Sequence, residues 1–106
     1  MTEWWFYLAG LFAALFLVNG IPHFVNGLSG KRFPTPISGG PGTEDEPWRN
    51  VLWGAFNLIA GGGLLWLVRD GLTNIVLLIE MIVAGVAFGT LLGHAFGHPE
   101  RFGRKR

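Results

Sequence analysis

The chain has three histidines, at His23, His94 and His98, and imidazole is the commonest protein metal ligand and titrates near neutral pH. His94 and His98 stand at i, i+4, a spacing that lets two imidazoles clasp a metal from one helical face. His23 is expected at the same end of the molecule, so His23, His94 and His98 form a candidate site for a divalent metal or a haem. Gly97 and Pro99 weigh against it by unwinding the chain before His98, and an interfacial hydrogen-bond cluster is the plainer reading. Asn19, His23 and Asn26 fall at i, i+4 and i+7, which is one helical stripe. Glu80 is the one charge in the run from Leu72 to Phe96. An ionised side chain at the centre of a membrane helix costs about 2.5–3.5 kcal/mol, so such a group faces the interior, finds a partner or is protonated. Asn57 and Asn74 are candidate partners. The chemical reading of Glu80, with Asn57 and the histidines, is a proton or cation site in a small transporter. The structural reading is a neutral acid bonded to a neighbouring helix.

Other chemistry is scarce. There is no Cys, hence no disulfide, thiolate catalysis or Cys-based metal site. No Gly-rich phosphate loop is followed by Lys-Ser/Thr, and no Ser/Thr has a His–Asp pattern around it. The balance leans away from an enzyme. The most specific spacing belongs to glycine: Gly85, Gly89, Gly93 and Gly97 are each four apart, and Gly54 and Gly61 to Gly63 lie upstream. In lipid no hydrophobic effect draws helices together, and small residues at this interval let backbones approach closely. The pattern predicts a glycine zipper, with another helix of this chain, a second copy or a different protein as partner.

Three long uncharged runs must carry these residues. Trp4 to Phe24 and Val51 to Val68 contain no Asp, Glu, Lys or Arg, and Leu72 to Phe96 contains Glu80 alone. Of the 106 residues 50% are hydrophobic, with a mean hydropathy of +0.41, and a soluble domain this small has too much surface to hide them. Runs of about 18 or more apolar residues match the hydrocarbon core of a bilayer, roughly 30 Å thick. The expectation is a single all-α domain over 1–106 with three transmembrane helices, at about 4–24, 48–68 and 72–96. The first run lacks the positive n-region of a signal peptide, so it is read as a mature helix, with Pro22 favouring a kink near its end. The connection 25–47 is rich in Pro and Gly, which disfavours helix and strand. Thr43-Glu44-Asp45-Glu46 has capping-box spacing ahead of the second helix. Arg69-Asp70-Gly71 reads as a tight turn, making the second and third helices antiparallel neighbours. Val18-Asn19-Gly20-Ile21 echoes seven residues later as Val25-Asn26-Gly27-Leu28, one heptad being too little for a repeat architecture.

With three spans, the loop and the tail 97–106 share one side, which carries seven of the eight basic residues; Arg69 is the exception. Lys and Arg mark the cytoplasmic side, so the N-terminus is expected outside and the C-terminus inside. Trp4, Trp5, Tyr7 and Trp66 at one end, and Trp48 and Trp53 at the other, fit interfacial aromatic belts. The basic tail suits anionic lipid headgroups and is too small for nucleic acid. The segment Asn19-Gly-Ile-Pro-His-Phe-Val-Asn-Gly-Leu-Ser-Gly-Lys-Arg-Phe-Pro-Thr-Pro36 resembles one found in small uncharacterised bacterial inner-membrane proteins. That resemblance implies a bacterial source and the cytoplasmic membrane, and carries no activity with it. The expected role is a non-enzymatic accessory or structural subunit, with membrane lipid and either itself or a larger membrane complex as partners.

Overall fold

The computed structural model describes residues 2–102; the tail residues Arg104 to Arg106 and their proposed contact with lipid headgroups lie outside them. Its helices are α1 (Trp4–Leu28), α2 (Pro47–Leu67) and α3 (Ile75–Gly97), with short 3-10 turns at Arg69–Gly71 and Pro99–Phe102. Each of the three is long and apolar enough to cross a membrane, and no strand is present among the described residues. The shortest, α2 with 21 residues, reaches about 32 Å at about 1.5 Å per residue, against a hydrocarbon core of roughly 30 Å.

The helix ends differ from the sequence expectation for identifiable reasons. α1 runs through Pro22 and stops at Leu28. The Asn26 amide donates to the Pro22 carbonyl at 2.8 Å. The helix is closed by Gly30, whose φ of +72° is easy for glycine. There Gly30 N–H donates to Gly27 O at 3.0 Å and Lys31 N–H to Asn26 O at 2.9 Å, a Schellman closure. α2 begins with Pro47 at its first turn, where the missing N–H costs nothing. The expected capping box does not form: Glu46 is the N-cap and makes no side-chain cap bond, its carboxylate pairing with Arg32, while the Thr43 hydroxyl is spent on Ser38 and Gly40 O. α3 starts at Ile75, three residues later than Leu72, because Asn74 caps it by accepting from Val76 N–H at 2.9 Å. Asn74 also donates to Thr2 Oγ1 and to the Tyr7 hydroxyl, tying α3 to the start of α1.

The packing order is α2–α1–α3. α1 and α2 share the main interface, α3 docks on α1, and α2 and α3 scarcely touch, so the expected neighbours are not neighbours. The connection over 68–74 is long enough to carry α3 to α1. The α1–α2 seam is built on glycine. A Cβ on Gly54 would lie 2.5 Å from Phe24 N and 2.8 Å from its Cα. One on Gly27 would lie 2.6 Å from both Pro47 O and Val51 N; Gly20 and Gly61 are similarly closed by Leu58 and Leu17. At Gly54 and Gly27 the partner is the neighbouring helix's backbone, an approach that only glycine permits. Gly20 and Gly27 are seven apart and so are Gly54 and Gly61, so the heptad echo in α1 is the footprint of this seam. The α3 series is looser. A Cβ on Gly85 or Gly89 would lie 3.4 or 3.5 Å from Val18, ordinary contact, and one on Gly93 or Gly97 would meet nothing within 4 Å.

The connection between α1 and α2 is ordered. Asp45 N–H donates to Phe33 O at 3.1 Å, a lone β-bridge. Thr35 Oγ1 donates to Asp45 Oδ2 at 2.5 Å, and Ser38 and Thr43 share a hydroxyl bond at 2.7 Å. Thr35 and Asp45 are 2% and 4% exposed, so this loop has a small polar core. The Thr35 hydroxyl above all holds the Asp45 carboxyl below the usual carboxylate range. Burial opposes this, while Glu46 N–H and then Arg49, at 3.2 Å, add to it.

Candidate functional site

The loop core and the glycine seam meet at His23. Because Gly20 and Gly27 bring α1 onto α2, the face between them turns His23 toward the start of α2. His23 Nδ1 lies 2.9 Å from Asn50 Oδ1. The Asn50 amide nitrogen is committed to backbone carbonyls, chiefly Phe33 O at 2.8 Å and Glu46 O at 3.3 Å, so its oxygen is the acceptor and Nδ1–H the donor. In the neutral ring Nε2 then carries the lone pair. Phe33, Phe96 and Trp53 surround the imidazole edge to face, with centroids 5.3, 6.2 and 6.4 Å away. His23 is 2% exposed and Asn50 fully buried.

A cleft of about 400 Å³ opens over this ring, walled by Asn19, Thr35, Pro36, Trp53, Leu92 and Phe96. A second, of about 320 Å³, shares Asn19 and Trp53 with it and continues along the helices between Phe12, Phe16, Asn57 and Phe88. Among the described residues, the unpaired side-chain polar atoms fully covered by protein are Trp53 Nε1 and Glu80 Oε2. His23 Nε2 has no hydrogen-bond partner among the described residues, and the His23 ring lines the cleft.

The sequence candidates divide accordingly. Asn19 and Asn57 come together, Asn19 Nδ2 donating to Asn57 Oδ1 at 3.1 Å. Glu80 meets neither Asn57 nor Asn74, which are spent on Asn19, Trp53 O, Thr2 and Tyr7. With α3 starting at Ile75, Glu80 lies in its second turn, about 7.5 Å from the helix start, nearer the end than a helix beginning at Leu72 would put it. The His94 and His98 rings do meet, with centroids 4.6 Å apart, and His98 lies 3.2 Å from Glu100. His23 stays apart from them, and no group of three metal-ligating side chains forms among the described residues. Trp53 stacks on Phe56 with rings 5.6 Å apart, its Nε1 covered by protein; Trp4, Trp48 and Trp66 are exposed.

Asn50 was not anticipated from the sequence, nor were Thr35, Phe33 and Phe96. A signal for Asn50 was present: Asn50, Gly54, Asn57 and Gly61 fall at i, i+4, i+7 and i+11 and are the buried residues of α2. No protein-family model, curated protein or solved structure matches the chain.

Proposed function

We propose that this chain is a non-enzymatic subunit of the bacterial cytoplasmic membrane, N-terminus outside and C-terminus inside, that packs through α3 into an oligomer or a larger membrane complex. The observation that carries this reading is the imbalance between helices. Within the chain, 6% of the apolar window of α3 is buried, against 28% for α1 and 22% for α2. Lipid tails supply no drive for helices to associate, so close packing and interhelical hydrogen bonds decide where a helix settles. α3 presents open glycines at Gly93 and Gly97, a feature that a further helix satisfies by packing close against it. The cysteine-free chain makes the test clean: Gly93→Cys in native membranes, treated with a bifunctional thiol reagent, should give a discrete cross-linked product. Ile59→Cys, on an exposed face of α2, should not. Uncross-linked monomer from both variants, with a monomeric mass in mild detergent, would remove the reading.

A further inference from the structure

The cleft over His23 is a built site that this packing role does not use. We propose that it binds a membrane-dissolved quinol, with the dihydroxylated ring at the loop end and the hydrocarbon chain lying along the helices. Charge narrows the ligand first. Among the described residues no Lys, Arg, Asp or Glu lines either cleft, so an ionised head would be buried there without a counter-charge, which disfavours fatty acids, phosphates and cations.

Hydrogen bonding narrows it further. His23 Nε2 offers a lone pair from a side chain 2% exposed and therefore takes an O–H. Asn19 stands one turn away on the same stripe of α1, about 6 Å along the axis. After its bond to Asn57 its amide keeps a free oxygen and a second N–H. Two hydroxyls on opposite ends of a six-membered ring span that step, one at each residue. The walls contributed by Trp53, Phe96 and Pro36 suit the faces of such a ring. The adjoining cleft is apolar except for Asn19 and Asn57, which is what a hydrocarbon chain requires. Each cleft falls in the range of small-molecule sites, about 300–1,000 Å³.

The oxidised quinone differs in a way that makes the assignment testable. Its two carbonyl oxygens accept only, so one would face the His23 lone pair without a proton between them. The purified chain in phosphatidylcholine nanodiscs under argon is titrated with a decyl-chain benzoquinol, the matching quinone and decanol, by calorimetry and by the ¹⁵N shift of His23 Nε2. The quinol should bind saturably and move the Nε2 resonance, and the quinone should bind about ten-fold more weakly, the worth of one hydrogen bond and an unsatisfied lone pair. Decanol should not compete. Ala95→Trp, which fills the cleft from a half-buried position on α3, should lose quinol binding with an unchanged helical circular dichroism. Absence of saturable binding, quinone binding as tight as quinol, or equal competition by decanol would each overturn the proposal. None of these three outcomes requires a variant to fold.

Discussion

At the scale of residues, the molecule is organised by neutral polar groups that answer one another. Asn50 is the pivot: its oxygen holds His23 and its nitrogen holds the loop backbone at Phe33. A buried amide so used leaves no group unsatisfied, whereas each orphaned partner would cost about 1–3 kcal/mol. Asp45 plays the corresponding part inside the loop. Its carboxyl is held below the ordinary value of 3.8, first by the Thr35 hydroxyl. A carboxylate depressed on folding stabilises the loop fully above its unfolded value and loses that contribution as pH falls through the folded one. Thr35→Val keeps the shape and removes the donor. The Asp45 carboxyl carbon, followed by NMR, should titrate at a higher pH in this variant than in the parent, and the ordered loop should melt out at a correspondingly higher pH on acidification. An unchanged titration would show that Thr35 does not hold the charge.

At the scale of elements, glycines of one type do two different things. In the α1–α2 seam a side chain at Gly54 would meet the Phe24 backbone itself, at 2.5 Å, and backbone yields less than a flexible side chain. On α3 a Cβ on Gly93 would meet nothing within 4 Å. For the isolated chain in detergent, Gly54→Leu should therefore cost at least about 1–3 kcal/mol, the usual range for overpacking. Gly93→Leu should stay within about 0.5 kcal/mol, as for substitutions away from close contacts. Denaturant titration followed by circular dichroism separates them, and equal losses would mean that the seam is not the stabilising contact. The regular four-residue spacing in α3 is the more conspicuous pattern in the sequence. The seven-residue pairs Gly20–Gly27 and Gly54–Gly61 are the ones brought into contact, because each returns to one helical face after two turns.

At the scale of the whole molecule, three apolar helices and a polar, folded connection define two ends with different charge. The end with the α1–α2 connection carries Lys31, Arg32 and Arg49, and the other end Arg69. The excess of Lys and Arg in short loops orients such proteins. A reporter fused after Arg106 should be active in the cytoplasm, and one fused before Met1 should not. A C-terminus active in the periplasm would reverse the orientation and place the His23 cleft at the outer face.

The number of spans and their approximate extents were determined by the sequence alone, because the cost of placing charge in lipid and the gain of placing apolar surface there are summed residue by residue and need no knowledge of neighbours. Pro22 misled that reading about the end of α1, since a proline near a helix end is absorbed when Gly30 supplies a closure beyond it. The pairing of helices was beyond the sequence. It depends on how each helix is rotated about its axis and on where the 68–74 connection delivers α3. Only when Gly54 fits against Phe24 does His23 come to face Asn50, and only then does a loop core around Thr35 and Asp45 close one side of the cleft. Tertiary structure thus decided which polar groups are spent on one another and which nitrogen is left free, because hydrogen bonding is a property of pairs and not of residues.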